Sequence, residues 1–231
     1  AAAAVDEGHV VALGCAGFRK QGGEEHVTLD DQWHLGSCTK SMTASVVAML
    51  VEEGKLRWES IISKVLGGIC TDMDDEWKEV TLEQLLVHRG GAPHEASADI
   101  WTVACGRLGT PSEQRHAFVQ GVPVKKPEKP PGTHWIYSDS GYSIVGVMME
   151  HVTGEPWEKL MRDRLCEPLG MTTAGFGEPA SPGDTNQPWG HHGYEAPYTP
   201  VAPGPDADNP PAIGPAGTVH CSMADFARYV M

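Results

Sequence analysis

The chain has 231 residues and a formal net charge of −14, with 31 acidic against 17 basic side chains. That length buries a good core as one domain, and that sign argues against nucleic acid or an anionic membrane as a partner. No run of 18 apolar residues occurs, so no membrane span is expected. The opening Ala1 to Ala4 has neither the charged nor the apolar region of a secretory leader, and the compartment stays open.

In chain order, residues 8–18 and 26–35 read as two strands around the polar Gly22-Gly23 turn, an expected hairpin that leads into a helix. The helix runs from Ser37 to about Glu53. Its residues Met42, Val46, Val47, Met49, Leu50 and Val51 are too dense for a surface stripe, and Gly54 stops it. Thr81-Leu82-Glu83-Gln84 is a capping box opening a short helix that ends at His88-Arg89-Gly90-Gly91. Residues 92–131 show no clear period, and 125–131 (KKPEKPP) is a loop.

Tyr137-Ser138-Asp139 leads into a helix carrying Ile144, Val145, Val147, Met148 and Val152, stopped by Gly154. Pro156 opens another, with Trp157, Leu160, Met161 and Leu165 on one stripe. Residues 179–215 are rich in proline and glycine. Trp189, Tyr194 and Tyr198 make this stretch a working loop beside a pocket rather than a plain linker. Ser222-Met223-Ala224-Asp225 caps a last helix whose stripe, Phe226, Tyr229 and Val230, halts at Met231. An apolar stripe left unmatched is expected of a segment of a longer protein.

The chemistry centres on Ser37 and Lys40, which project from one face of a helix start because they lie three residues apart. A hydroxyl there meets unpaired backbone N–H groups and the positive end of the helix dipole. An amine in a dry setting gives up its proton more readily, and together the pair can form an activated nucleophile. The bland alternative is an N-capping serine followed by a solvated lysine. Ser-x-x-Lys arises by chance about once in every two chains of this composition, so the pair alone does not decide.

Several stretches occur in one familiar order: LGSCTKSMTA (35–44), TLEQLLVHRGGAPH (81–94), PGTHWIYSDSGYSIVGVMMEHVTGEPW (131–157), LCEPLGMTTAGFG (165–177) and GPAGTVHCSMADFARYV (214–230). In them the chain resembles the serine β-lactamase-related family, which includes class C β-lactamases, D-alanyl-D-alanine peptidases, D-amino-acid peptidases and esterases. The resemblance implies an α+β fold, an antiparallel sheet flanked by helices plus a helical lobe, with the last sheet strands missing. The sheet lobe is expected at about 1–36 and 212–231, the helical lobe at about 37–178, and the active-site loop at about 179–215.

The resemblance makes Ser37 the acylated nucleophile, Lys40 its partner, and Tyr137 the phenol that shuttles protons. A phenol, with an ordinary pKa of about 10, needs a cation beside it to act near neutrality. Asp139 departs from the family, which usually has asparagine there. A carboxylate only accepts hydrogen bonds, so Asp139 either holds Lys40 charged or selects a substrate carrying an amine or hydroxyl. A third family element, Lys or His then Thr or Ser then Gly on a strand that supplies an oxyanion donor, is not found. Losing one such donor costs about 10²–10³ in rate, so this chain by itself is expected to be a weak catalyst or none, and the full protein the enzyme.

Among the remaining candidates, Trp135 and Trp189 (with Tyr194) are substrate-lining aromatics, as compatible with loop pinning as with binding. His191-His192 point apart in extended chain, and no metal site is expected. The six cysteines, with no Cys-x-x-Cys spacing, read as small packed residues, Cys38 among them. The expected reaction is acyl transfer from a small-molecule ester or amide to Ser37 and then hydrolysis, with no cofactor. Carboxylic esters rank first, D-amino-acid or peptidoglycan-like amides second and β-lactams third. A non-catalytic ligand-binding member is the competing reading, and the oligomeric state is open.

Overall fold

The computed structural model describes every residue except Tyr194 and Asp206. The chain divides into two compact units, one formed by Ser37–Met161 with Pro210–Gly217, the other by Ala1–Gly36, Arg162–Asn209 and Thr218–Met231. The class is α+β.

The first unit is helical. It contains α1 (Cys38–Glu52), α2 (Ile62–Leu66), α3 (Leu82–Leu86), α4 (Ala98–Cys105), α5 (Pro111–Gly121), α6 (Asp139–Thr153), α7 (Trp157–Met161) and the single turn α8 (Gly214–Gly217). Its centre is α6, buried at every position from Ser140 to Glu150 and packed by α1, α2, α3, α5, α7 and α8. In α1, Met42, Val46, Val47 and Leu50 are fully buried, each stabilising the fold by about 1.5–3 kcal/mol. Met49 and Val51 are only half-buried, so the inward face is narrower than the apolar density suggests.

Both long helices stop at glycines in the left-handed region, Gly54 (φ 71°) and Gly154 (φ 72°), where no Cβ resists the turn. Gly146 in α6 has a different reason. A methyl there would lie 2.4 Å from Pro215 Cγ, so its absence lets α8 lie directly on α6. Between residues 92 and 131, where the sequence shows no period, the chain forms α4 and α5. Thr110 and Glu113 cap α5 reciprocally, with Pro111 in its first turn. Arg115, fully buried, donates to Glu150 and, at 2.5 Å, to Glu158.

The second unit holds the strands. β1 (Ala2–Asp6) and β2 (His9–Gly14) form a hairpin. β3 (Gln32–His34), β4 (Gly175–Phe176) and β7 (Val219–Ser222) form an antiparallel sheet of order β3-β7-β4. β5 (Gly190–His192) pairs with β6 (Thr199–Val201). α9 (Met223–Val230), capped by the Ser222 hydroxyl, packs on β1, β2 and β7.

The expected hairpin of 8–18 with 26–35 is corrected. Glu7 and Gly8 both take positive φ (46° and 76°), the geometry of a two-residue turn whose twist suits paired strands. It joins β1 to β2, so Ala2–Asp6 takes the place expected of residues 26–35. Those residues supply only β3, and the Gly22-Gly23 turn is closed by one bridge, Phe18 to His26. Among the described residues no helix is long and apolar enough to cross a membrane.

Candidate active site

The helical unit brings Ser37, Lys40, Tyr137 and Asp139 together. Ser37 sits at the start of α1 in helical conformation, and its side chain makes no capping bond. Its Oγ accepts instead from Tyr137 OH and, at 3.2 Å, from Lys40 Nζ. Lys40 is 5% exposed. A capping serine with a solvated lysine is therefore not what the chain forms.

Lys40 Nζ has three acceptors: Ser37 Oγ, Asp139 Oδ1 at 2.6 Å and the Ala216 carbonyl at 2.8 Å. An ammonium has three N–H donors and no acceptor capacity, so this environment is matched to the charged form. Nζ also lies 4.6 Å from the Tyr137 ring centroid and 5.6 Å from that of Tyr142.

The two tyrosines differ in kind. Tyr142 is buried and its hydroxyl donates to the Leu86 carbonyl at 3.0 Å. Burial, reinforced by the nearby Tyr137, pushes its pKa up to about 12. Tyr137 is half-buried, with its hydroxyl on Ser37. Of the two, only Tyr137 is placed to exchange a proton with the serine.

The segment 88–94 holds Tyr137 in place. The Ile136 N–H donates to the His88 carbonyl at 2.8 Å, and the Ser138 N–H to His88 Nδ1 at 3.1 Å. His94 Nδ1 donates to the Tyr137 carbonyl at 2.8 Å, and Ser138 Oγ to the Pro93 carbonyl at 2.6 Å. The His88 ring lies 4.6 Å from the Tyr137 ring. Burial, and after it the Lys40 charge, hold the His88 imidazole below its ordinary pKa, against the opposing pull of Asp139.

His88, His94, Tyr142 and the Ala216 carbonyl were not singled out from the sequence. Lone histidines in a loop have no periodicity to mark them, and a backbone acceptor has no residue type. The available signal was the position of His88 and His94 in HRGGAPH, just past the α3 capping box.

Trp135 is 64% exposed and stands edge-on to His88, 5.7 Å between centroids, on the same aromatic face as Tyr137. Trp189 belongs to the other unit, where its indole donates to the Asp184 carbonyl at 2.8 Å beneath Lys20. There it lines a 310 Å³ cavity with Trp33, His34 and Asp208. Tyr194 lies outside the described residues.

His191 Nε2 accepts from the Gln21 N–H. Among the described residues no group of three or more His, Cys, Asp or Glu is placed to hold a metal ion. All six cysteines are free; Cys70, Cys166 and Cys221 are buried, while Cys38 and Cys105 are exposed. Cys38 is therefore not the packed residue expected, because the first turn of α1 leaves that side open.

Known proteins resemble this chain in sequence and in fold. Penicillin-binding protein 4 of Amycolatopsis lactamdurans is 32% identical over 145 residues, 63% of this chain and 36% of its own length. Lovastatin esterase of Penicillium rubens is 28% identical over 188 residues, 74% of this chain and 46% of its own length. The solved octameric penicillin-binding protein homologue from Pyrococcus abyssi superposes with a TM-score of 0.74 at 27% identity, covering 98% of this chain and 50% of that one. The chain thus spans half or less of the length of these relatives. The Beta-lactamase family model matches residues 1–231, and with that match over the whole length the chain belongs to the serine β-lactamase-related family.

Proposed function

We propose that this chain supplies the acylation machinery of a serine hydrolase, with Ser37 as nucleophile, Tyr137 as general base and acid, and Lys40 as a fixed positive charge. The observation that carries the reading is the convergence of Tyr137 OH and Lys40 Nζ on Ser37 Oγ. Three acceptors on the buried ammonium leave the phenol, rather than the amine, as the group free to move a proton.

In the forward step Tyr137, as phenolate, takes the Ser37 proton while Oγ bonds to the substrate carbonyl carbon. The tetrahedral adduct collapses, the bond to the leaving alcohol breaks, and Tyr137 returns the proton to it. Water then attacks the acyl-serine ester by the same route and frees the acid. An ammonium 4–5 Å from the phenol stabilises negative charge arising there by on the order of a few kcal/mol at an effective dielectric near 20. Carboxylic esters are the first-ranked substrates, ahead of D-amino-acid amides and β-lactams, and Trp135 is the surface for an apolar acyl or leaving group. Positively charged or donor-bearing substrates suit the carboxylate of Asp139.

A fluorophosphonate read by intact mass tests this directly. One adduct per chain is expected, absent from Ser37→Ala. No adduct on the full-length protein, or one that survives the substitution, removes the catalytic reading and leaves a binding member of the family. Turnover of p-nitrophenyl butyrate against a chromogenic cephalosporin then ranks ester against lactam.

A further inference from the structure

We propose that His88 is the positioning residue for Tyr137, and that it holds the phenol on Ser37 only while its imidazole is neutral, so that its protonation switches the site off in acid. The proposal rests on the hydrolase reading above, and its ground is the hydrogen bonding on both sides of Tyr137. The residue before Tyr137 donates its N–H to the His88 carbonyl at 2.8 Å, and the residue after it donates to His88 Nδ1 at 3.1 Å. One histidine thus holds both flanking peptides, while its ring lies along the phenol.

The Ser138 N–H is a donor, so Nδ1 must carry a lone pair and the ring proton must sit on Nε2. A second proton can only go onto Nδ1. That turns the acceptor into a donor facing a donor, at a residue whose side chain and backbone are buried (Ser138, 1% exposed).

The ring's charged and titratable surroundings make this a sharp change. From α1 it faces the Lys40 ammonium; from α6 it faces Asp139 and the Tyr142 phenol, with ring centroids 5.4 Å apart; from the preceding loop it faces Tyr137. His94 holds the Tyr137 carbonyl from the other side. The imidazolium would stand against Lys40, and only Asp139 favours it, which agrees with the lowered pKa of this ring. The backbone at His88 is itself left-handed, φ 61°, a conformation that asparagine adopts readily.

That last fact supplies the decisive variant. His88→Asn keeps an acceptor oxygen where Nδ1 stands, suits the backbone and cannot take a proton; His88→Ala removes the acceptor. The rate of fluorophosphonate labelling of Ser37 is measured against pH for the three proteins, and imidazole nitrogen NMR reads the His88 tautomer.

The wild-type rate should fall in acid with one proton more than the rate of a protein whose residue 88 cannot titrate. His88→Asn should label near the wild-type rate at neutral pH and lack that extra proton in acid. His88→Ala should be slower by on the order of 10²-fold at every pH, the loss a misplacement of about 1 Å can bring. A His88→Ala protein that labels like wild type, an extra acid proton that persists in His88→Asn, or an Nδ1–H tautomer overturns the inference. A full-length wild-type protein unlabelled at every pH overturns the hydrolase reading instead, while the tautomer still tells whether the clamp exists.

Discussion

Lys40 Nζ and Asp139 Oδ1 stand 2.6 Å apart across 99 residues of sequence, joining the first turn of α1 to the first turn of α6. The second carboxylate oxygen of Asp139 has no hydrogen-bond partner among the described residues, and the side chain is 41% exposed. A carboxylate in that position offers a substrate an acceptor and nothing else.

Substrates with a donor near the scissile carbonyl should therefore be preferred to those with an acceptor there. Glycine benzyl ester and N-acetylglycine benzyl ester share a leaving group; the first presents a charged amine with donors only, the second a neutral amide that adds a carbonyl acceptor. The free amine should have the higher kcat/KM, by up to about tenfold for one hydrogen bond. Asp139→Asn keeps an oxygen for Lys40 and exchanges the free acceptor for an amide donor, so the ratio should narrow or invert. Benzyl alcohol release, corrected for spontaneous hydrolysis, measures it. An unchanged ratio would show that Asp139 serves Lys40 alone.

Tyr137→Phe and Tyr142→Phe separate the two phenols near Lys40. Removing the Tyr137 hydroxyl deletes the proton carrier and should lower kcat by about 10²–10⁴-fold. Removing that of Tyr142 leaves the Leu86 carbonyl without its donor, which costs about 1 kcal/mol of stability and should leave turnover within a few-fold of wild type. Kinetics with thermal melts on both variants decide; a Tyr137→Phe protein at full turnover would exclude the phenol from the reaction.

How much of this was legible beforehand differs residue by residue. Ser37 and Lys40 could be paired because a helix turns a spacing of three into one face, and the Thr81–Gln84 capping box is a local device that forms as written. Tyr137 lies 100 residues from Ser37, and no local rule connects them; only the resemblance did. Thr110-Pro111-Ser112-Glu113 is as clear a helix start as Thr81–Gln84, yet α5 shows no period in the sequence because its inward residues include Gln114 and Arg115, which break an apolar stripe. Ala2–Asp6 does not read as a strand because alanine is a weak strand former, and pairing across Glu7-Gly8 outweighs that preference. Ala216 could not have been found at all, since what Lys40 uses there is a carbonyl delivered by the approach of α8 to α6.

That approach can be tested at Gly146. Alanine in a helix interior is ordinarily worth about 1 kcal/mol over glycine. Here its methyl would lie 2.4 Å from Pro215 Cγ and 3.1 Å from Arg115 Cδ, and a proline ring has little room to yield. Overpacking costs about 1–3 kcal/mol, so the clash should outweigh the propensity and Gly146→Ala should be net destabilised. Because Pro215 precedes Ala216, whose carbonyl binds Lys40, turnover should fall as well. A variant more stable than wild type with full activity would show that α8 gives way freely.

Glu150 links stability to pH. Its burial favours the neutral acid, but hydrogen bonds from His116, the Trp157 N–H and Ser112, together with the Arg115 charge, outweigh burial and hold its pKa below the ordinary carboxylate value. The folded state therefore binds this proton more weakly than the unfolded chain does. The stabilisation is fully present above the unfolded value of about 4.3 and is lost as pH falls through the folded one. Glu150→Gln leaves the fully buried Arg115 with Glu158 as its remaining carboxylate partner, and at neutral pH should cost about 3–5 kcal/mol. The difference from wild type in urea unfolding should shrink as pH is lowered past 4, because there the wild-type carboxylate is protonated too. A difference that stays constant across that range would mean that Glu150 acts through packing and not through its charge.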